Sequence, residues 1–208
     1  MKGFYFITDS GLSRKGIVSD VRNAVKAGVK VVQYREKNKP SCEMFREASI
    51  LRRICKNITF LVNDRIDIAL AVKADGVHLG QDDVFLPEAR KLLGKKKIIG
   101  VTVHSLKEAL FAQKQGANYL GASPIFPTKT KIDAGKAIGL NKLKEISRRV
   151  RVRVPIVALG GISLKNAGLV AMSGADSICA ISAVLDKPDV CGEILKFRKA
   201  FVDTSSCR

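Results

Sequence analysis

The sequence predicts an α/β fold, a single (β/α)8 barrel of the TIM-barrel type, and three observations support this prediction. Short apolar segments alternate with amphipathic segments, a βα unit recurs about every 25 residues, and one phrase is repeated where helices meet strands. The runner-up is an open doubly wound sheet. That fold should carry a GxGxxG-type turn after the first strand, and the segment TDSGLS does not supply one.

Eight short apolar segments are the predicted strands. Several are apolar throughout rather than alternating, which is typical of parallel strands covered on both faces. The predicted strands are Phe4–Thr8, Val29–Arg35, Thr59–Asn63, Gly76–Leu79, Ile98–Thr102, Tyr119–Ala122, Ile156–Leu159 and Ser177–Ile181.

The junction from helix to strand has the same sequence pattern three times. KAGVKVVQ, QGANYLGA and SGADSICA each end a helix on small residues, with a Gly supplying the left-handed turn before the strand. VKADGVHL repeats the pattern with Ala74-Asp75. At the opposite end of a helix, Ser105 is the predicted N-cap of SLKEALFAQKQ.

Length and composition indicate one enzyme-like domain. The 208 residues are 46% hydrophobic and 27% charged, so we expect residues 1–208 to form one domain, with 203–208 as a frayed tail. Neither a signal peptide nor an apolar run of membrane-spanning length is found, which predicts a cytoplasmic protein without membrane contact. The five cysteines lack metal-binding spacing and are interpreted as reduced thiols packed as small apolar side chains.

The chain is strongly basic, with 37 Lys and Arg against 19 Asp and Glu, a net charge of +18. The basic residues are scattered, and the small clusters at 95–97 and 148–153 have no interleaved aromatic residues. We therefore expect solvated faces that steer anionic substrates, with no nucleic-acid partner. A homo-oligomer stays open.

In a barrel of this type the chemistry lies where strands end, and the second strand ends on cations. Gln33, Arg35 and Lys37 alternate in VQYREK, so the pleat of the strand turns all three toward the barrel mouth. Two fixed cations and an amide donor on one face suit an anion such as a diphosphate.

Carboxylates follow the next two strands. Asn63 and Asp64 end the third strand, and Asp82 and Asp83 follow the fourth. Two carboxylates from neighbouring strand ends predict a Mg²⁺ site, because Mg²⁺ takes few protein oxygens and leaves the rest to phosphate and water. Asp64 could instead cap the following helix, and spacing alone does not separate Asp83, the favoured ligand, from Asp82.

A second anion site is predicted from the last three strand ends. The long loop SPIFPTKTKIDAGKAIG offers Thr128, Thr130 and Lys131 as phosphate ligands on a predicted lid. VALGGIS and CAISAVL add Gly161 and Ser182, where exposed backbone N–H groups typically bind phosphate. Two anion sites predict two phosphorylated substrates, of which the one beside the metal carries a diphosphate leaving group.

These motifs together resemble the thiamine phosphate synthase family. The resemblance rests on VQYREK, NDRIDIALAVKADGVHLGQDD, IIGVTVHSLKEA, PIFPTKTK, VALGGIS and GADSICAISAV, in the family's order and spacing, from about Tyr5 to Phe201. It implies an Mg²⁺-dependent enzyme that joins hydroxymethylpyrimidine diphosphate to a thiazole phosphate and releases pyrophosphate.

The resemblance also implies roles for individual residues. Those expected to bind the pyrimidine diphosphate are Gln33, Arg35, Lys37, Asn63 and Lys131, with Thr102 on the pyrimidine side. Asp64 and Asp83 are expected to bind Mg²⁺. Those expected to bind the thiazole phosphate are Thr128, Thr130, Gly161, Ile181 and Ser182.

Arg35, Lys37 and Lys131 are the expected catalytic residues, because they would neutralise the departing pyrophosphate without a protein nucleophile. Three positions depart from the family pattern, namely Tyr34, Thr102 and Ser123, and none of them removes a charge.

Two alternatives belong to other classes. A thiazole tautomerase of the same superfamily would share VHSLKEA and use His104, but it needs neither the carboxylate pair nor the PTKTK loop. A basic barrel that binds RNA would show steeply salt-dependent affinity and no Mg²⁺-dependent turnover. His78, which lies within the fourth strand, is interpreted as a hydrogen-bonded core residue.

Overall fold

The computed structural model describes residues 2–128, 130, 135–150 and 154–205, the last four as backbone only. Within this part of the chain, eight parallel strands pair in sequence order and the eighth pairs with the first, which closes a barrel. The predicted (β/α)8 fold is confirmed.

The strands alternate with helices along the whole described chain. The strands are β1 Gly3–Ile7, β2 Val31–Tyr34, β3 Thr59–Asn63, β4 Gly76–Leu79, β5 Ile98–Val103, β6 Tyr119–Ala122, β7 Ile156–Leu159 and β8 Ser177–Cys179. The helices are α1 Ile17–Lys26, α2 Ser41–Ile54, α3 Ile66–Ala71, α4 Leu86–Leu93, α5 Leu106–Lys114, α6 Gly139–Val150, α7 Ala167–Met172, α8 Ser182–Leu185 and α9 Val190–Ser205.

The pleat of the strands divides the hydrophobic residues between two cores. Side chains that point inward fill the barrel; they are Tyr5, Ile7, Val31, Leu61, Tyr119, Val157 and Cys179. Their neighbours along each strand point outward and pack under the helices. In β1, for example, Phe4 packs against Phe197 of α9 with ring centroids 5.8 Å apart. Both faces of the sheet are therefore covered, as the apolar strand sequences predicted.

The repeated helix-to-strand junctions have the expected left-handed glycines. Gly28, Gly116 and Gly174 have φ angles of 76°, 87° and 101°. In the fourth junction the left-handed residue is Lys73, with φ 53°, and it precedes the predicted pair Ala74-Asp75. Ser105 is the N-cap of α5, where its hydroxyl accepts a hydrogen bond from the Glu108 N–H at 3.2 Å.

Four strands differ from the prediction at one or both ends. β2 begins at Val31 because the Val29 N–H still closes the end of α1, on the carbonyl of Ala24. It ends at Tyr34 because the Arg35 N–H bonds a side chain, the Thr8 hydroxyl, instead of a neighbouring strand. β8 ends at Cys179, since the Ile181 carbonyl already accepts the first bonds of α8. β1 and β5 differ by a single residue at their ends.

The helix α9 extends to Ser205, and the frayed tail at 203–208 stays a prediction. Phe201 of this helix is buried and belongs to the core between the barrel and the helices. Residues 206–208 lie outside the described part of the chain. Among the helices described, none is long and apolar enough to cross a membrane.

Candidate active site

One cavity lies at the carboxyl ends of the strands and brings together the predicted site residues. Twelve of them line it, namely Gln33, Arg35, Lys37, Asn63, Asp64, Asp83, Thr102, Thr128, Thr130, Gly161, Ile181 and Ser182. Lys131, the remaining predicted residue, lies outside the described residues. Short strands bring these positions together, because each contributes only the one or two residues at its end.

Arg35 is fixed by the loop that follows β1. The Arg35 N–H donates to the Thr8 hydroxyl at 2.9 Å, which in turn donates to the Arg35 carbonyl at 3.3 Å. The Arg35 guanidinium pairs with the Asp9 carboxylate at 3.2 Å, and both side chains are largely buried, 19% and 14% exposed. Because both the backbone and the guanidinium of Arg35 are anchored, the residue presents a fixed positive charge to the cavity.

The loop after β2 is also held from outside the barrel. The Glu36 carboxylate accepts hydrogen bonds from the N–H groups of Lys37 and Asn38, at 2.8 and 3.0 Å. The Tyr34 hydroxyl donates to Glu47 of α2 at 2.8 Å, and Lys39 bonds the other oxygen of Glu47 at 2.5 Å. The alternation predicted from the sequence is therefore present: Gln33, Arg35 and Lys37 line the cavity, whereas Tyr34 and Glu36 between them anchor the loop.

Two carboxylates and one lysine meet beside this loop. The Lys37 ammonium contacts Asp64, and the side chains of Asp64 and Asp83 are hydrogen-bonded to each other. Burial, with that hydrogen bond, raises the pKa of Asp83 to about 6. Burial alone would raise the pKa of Asp64 as well, but the bonds from Asp83 and Lys37 outweigh it and the pKa lies below its ordinary value. Each carboxylate therefore opposes the ionisation of the other, and a cation bound between them would relieve this opposition.

The backbone helps to aim both carboxylates. Asp64 has a left-handed φ of 58°, and its N–H donates to the His78 carbonyl of β4 at 2.8 Å. Asp83 accepts a hydrogen bond from the Gly80 N–H at 2.6 Å. No side-chain bond from Asp64 caps α3, which begins after Arg65 without such a bond. Asp82 also lines the cavity but is exposed, so the structure separates it from Asp83.

The carboxylate pair fits Mg²⁺ as a donor set. Among the described residues, no three His, Cys, Asp or Glu side chains converge on a metal position. Mg²⁺ commonly takes only one or two protein carboxylates and completes its shell with phosphate and water. Two hydrogen-bonded carboxylates beside the Lys37 ammonium suit that mode of binding. They would not suit a structural zinc site, which needs four protein ligands.

Glycines form the opposite side of the cavity. Gly160 and Gly161 after β7 have φ angles of 90° and 62°. A Cβ on Gly161 would lie 2.6 Å from the Pro127 carbonyl oxygen, so only glycine lets the loop after β6 approach this turn. The Thr130 hydroxyl donates to the Ser182 hydroxyl at 3.2 Å and joins that loop to the start of α8.

A hydrogen-bonded chain runs from the cavity into the barrel. The His78 ring lies between Thr102 and Tyr119, with Nε2 2.8 Å from the Thr102 hydroxyl and Nδ1 2.8 Å from the Tyr119 hydroxyl. The Tyr119 hydroxyl is 2.7 Å from that of Tyr5. His78 is therefore the hydrogen-bonded core residue that the sequence predicted, but it also lines the cavity.

Comparisons with known proteins agree on one family. The family model for thiamine monophosphate synthase matches residues 4–184. The chain is 54% identical over 201 residues to a thiamine-phosphate synthase of Methanosarcina barkeri, which covers 96% of this chain and 89% of the relative. The chain belongs to the thiamine monophosphate synthase family.

Two further relatives extend this result. A thiamine-phosphate synthase of Methanospirillum hungatei is 46% identical over 94% of this chain and 95% of its own length. A solved thiamine phosphate pyrophosphorylase from Pyrococcus furiosus superposes with a TM-score of 0.89 at 42% identity, over 97% of this chain and 96% of that one. The family recognised from the motifs is confirmed.

Their contacts set the two histidines, His78 and His104, apart. The His104 Nδ1 donates to the Ser123 carbonyl at 2.6 Å, and the residue is not among those that line the cavity. The residue that a tautomerase would use is therefore directed at the backbone, whereas His78 faces the cavity.

Sequence reasoning missed four residues that hold the site together. Thr8 and Asp9 fix Arg35, Glu36 fixes the loop after β2, and Gln81 donates its side-chain amide to the Thr102 carbonyl. Thr8-Asp9 follows the first strand directly, and a reading of every strand end would have included this pair. The sequence carries no comparable signal for Glu36 or Gln81, because their partners are backbone groups.

Proposed function

We propose that this protein is a thiamine phosphate synthase that joins hydroxymethylpyrimidine diphosphate to a thiazole phosphate and releases pyrophosphate. The observation that carries the proposal is a single cavity with two unlike anion-binding sides. One side holds Arg35 and Lys37 with the carboxylate pair, and the other is a neutral glycine turn. A reaction between a diphosphate and a monophosphate needs both.

The diphosphate side is suited to the pyrimidine substrate. Arg35 and Lys37 supply positive charge, and Asn63 and Lys131 are assigned to the same substrate from the family motif. The Gln33 side chain is buried, and its amide nitrogen has no hydrogen-bond partner among the described residues. A buried donor without a protein partner supports a ligand acceptor at this point.

Asp64 and Asp83 would hold Mg²⁺, which when bound neutralises charge on the leaving pyrophosphate. The protein's own contribution is to keep the two carboxylates together, through the Gly80 N–H on Asp83 and the Lys37 ammonium on Asp64. Lys37 also lines the cavity, so the same cation is available to the diphosphate.

The glycine side is suited to the thiazole phosphate. The turn at Gly161 lies next to Thr128, Thr130 and Ser182 along the cavity wall, and Ile181 adds an apolar contact. Hydroxyl and backbone N–H donors bind a phosphate without excess positive charge. This would keep the thiazole phosphate out of the more cationic diphosphate side.

The residues present fit a reaction in which the leaving group departs first. Arg35, Lys37 and Lys131 stabilise the charge that grows on the leaving oxygen, and the aminopyrimidine delocalises the positive charge left on its methylene. The thiazole nitrogen then attacks that carbon. The bond broken joins carbon to the diphosphate oxygen and the bond formed joins carbon to nitrogen, so no proton acceptor from the protein is required.

The test is an incubation of the protein with both phosphorylated substrates and Mg²⁺. We expect equal amounts of pyrophosphate and thiamine phosphate, and none when either substrate or the metal is omitted. Lys131→Ala should retain the fold and lose most of the turnover, because one leaving-group cation is worth roughly 10²-fold to 10³-fold. A kcat close to that of the wild type would refute the role of Lys131.

We further propose a cytoplasmic location, because both substrates carry phosphate groups that do not cross membranes unaided. A homo-oligomer stays a prediction that sedimentation of the purified protein would test.

A further inference from the structure

Only one direction of donation along the hydrogen-bonded chain Tyr5–Tyr119–His78–Thr102 leaves no hydrogen unpaired inside the barrel. Each hydroxyl has one hydrogen to donate, and a neutral imidazole has one N–H and one acceptor nitrogen. Tyr119 is the sole hydrogen-bond partner of the Tyr5 hydroxyl among the described residues. Tyr5 is buried, so its O–H must donate to Tyr119 or stay unpaired inside the barrel, at a cost comparable to a lost hydrogen bond.

The direction then passes along the chain. Since Tyr119 accepts from Tyr5, its own O–H donates to the other neighbour, the Nδ1 of His78. His78 therefore carries its hydrogen on Nε2 and donates it to the Thr102 hydroxyl. Burial raises the pKa of both tyrosines, so both hydroxyls keep their hydrogens near neutral pH.

We propose that Tyr119 is a positioning residue that fixes His78 as the Nε2–H tautomer and so makes the Thr102 hydroxyl a hydrogen-bond donor to the cavity. His78 occupies one acceptor position of that hydroxyl, and Thr102 itself lines the cavity. Its hydrogen has no other side-chain acceptor among the described residues and is left for a ligand.

Two glycines make room for this arrangement. A Cβ on Gly100 would lie 2.0 Å from the Tyr119 ring, and one on Gly121 would lie 3.0 Å from the His78 ring. The rings of His78 and Tyr119 also pack with centroids 5.4 Å apart. The two rings are therefore held in place by packing as well as by hydrogen bonds.

The direction matters for substrate choice, and here the inference rests on the proposed function. A donor at Thr102 selects an acceptor atom on the pyrimidine diphosphate, either a ring nitrogen or a phosphate oxygen. A ligand with only an N–H at the same point could use the second lone pair of the Thr102 hydroxyl but would leave the Thr102 hydrogen unpaired, which lowers its affinity relative to an acceptor.

The tautomer can be measured without substrate. In the full-length protein labelled with ¹⁵N-histidine, the ring nitrogen shifts distinguish a protonated nitrogen from a bare one. The two histidines provide an internal comparison, because His104 faces a carbonyl and must carry its hydrogen on Nδ1. We expect His78 to be protonated on Nε2 and bare on Nδ1. A hydrogen on Nδ1 of His78 would overturn the inference, and no variant is needed to see it.

Matched variants test the role of Tyr119. Tyr119→Phe removes the donor to Nδ1, so we expect a mixture of His78 tautomers. Tyr5→Phe also removes a buried hydroxyl from the chain. The Tyr119 O–H must then donate to His78 Nδ1 or stay unpaired, so the Nε2–H tautomer of His78 should persist. Tyr34→Phe, outside the barrel, should leave the His78 spectrum unchanged. An unchanged tautomer in folded Tyr119→Phe would refute the proposal.

Binding and turnover identify the acceptor. Thr102→Val should weaken the pyrimidine diphosphate roughly tenfold, and Thr102→Ser, which keeps the donor, should not. Titration of Thr102→Val with Mg²⁺ and pyrophosphate alone distinguishes the two candidate acceptors. A weaker pyrophosphate affinity than that of the wild type indicates a phosphate oxygen, and an unchanged affinity indicates a ring nitrogen. Tyr119→Phe should raise KM for the pyrimidine diphosphate but not for the thiazole phosphate. If Thr102→Val binds both ligands normally, Thr102 is not the donor.

The proposed function and this inference fail separately. A protein that shows the His78 Nε2–H tautomer but forms no thiamine phosphate would refute only the function. A synthase whose His78 carries its hydrogen on Nδ1 would refute only the inference.

Discussion

Asp64 and Asp83 differ from Asp9 and Asp82 because their side chains are hydrogen-bonded to each other. Asp9 pairs with Arg35 and Asp82 is exposed to solvent, whereas Asp64 and Asp83 interact with each other and the pKa of Asp83 is raised to about 6. Two carboxylates held this close repel each other once both are charged, and a divalent cation relieves that repulsion. The proximity of Asp64 adds to the effect of burial in raising the pKa of Asp83, and the same proximity favours a divalent cation between the two carboxylates.

Asp83→Asn is therefore expected to raise the Mg²⁺ concentration needed for half-maximal turnover by at least roughly tenfold. The matched control is Asp82→Asn, which removes the same charge one residue away and should leave that concentration unchanged. Protons compete with the metal below a pH of about 6, the pKa of Asp83, so the Mg²⁺ requirement of the wild type should rise as pH falls. Equal responses of the two variants would contradict the assignment.

Asp9→Asn tests the anchor of Arg35. The variant keeps an oxygen for the Gly11 and Leu12 N–H groups but leaves a largely buried guanidinium unpaired. We expect the free energy of unfolding to fall by about 1–3 kcal/mol, measured by urea denaturation. Asp186→Asn, which breaks an exposed pair with Arg14 at 3.7 Å, should change it by less than about 0.5 kcal/mol. The anchor would be disproved by equal changes.

Among the elements, the strands were predictable from sequence, but their ends were predicted less well. Four strands match the prediction at both ends, because their apolar runs stop where burial stops. β2 and β8 were predicted too long, because Val29 and Ile181 are apolar residues whose backbones belong to helix ends. Hydrophobicity reports burial, not which hydrogen bond the backbone makes, so it cannot separate a strand from a buried helix terminus.

The same reasoning explains how much of the candidate site was predictable. Charged residues such as Arg35 and Asp64 are conspicuous at the end of a buried strand, so their gathering in one cavity could be inferred. Residues such as Glu36 and Gln81 act on backbone groups, and no sequence spacing reveals such contacts. Tyr119 is an ordinary strand residue in sequence, and its hydrogen bonds follow only from the register that sets it beside Gly100.

The turn after β7 is the element on which the thiazole phosphate side depends. Gly161→Ala adds a Cβ against Pro127 and Phe126 in a left-handed conformation. Gly116→Ala, also left-handed but with open space around its Cβ, is the control and should cost about 1–2 kcal/mol of stability. Gly161→Ala should cost more and should raise KM for the thiazole phosphate only. Identical stability losses would show that close approach is not why glycine stands there.

On the scale of the whole molecule, the charge is the property that the fold does not explain. The barrel buries a core on both faces of its sheet. The chain has 37 Lys and Arg residues but only 19 Asp and Glu residues, and nothing in the packing of the core requires this excess. An excess of positive charge raises the local concentration of anionic substrates near the cavity. The same excess destabilises the compact state by repulsion, so substrate steering comes at the expense of stability.

The repulsion between surface cations predicts that salt stabilises the folded protein. Raising NaCl from about 0.01 M to about 0.15 M shortens the Debye length from about 30 Å to about 8 Å and screens the repulsion between surface cations. The melting temperature should therefore rise, by roughly 2–4 °C for each kcal/mol of relief. Lys95→Gln with Lys96→Gln, both on the exposed turn before β5, should reduce the rise because less repulsion remains to be screened. A melting temperature that stays constant or falls would mean that the basic surface is already balanced within the fold.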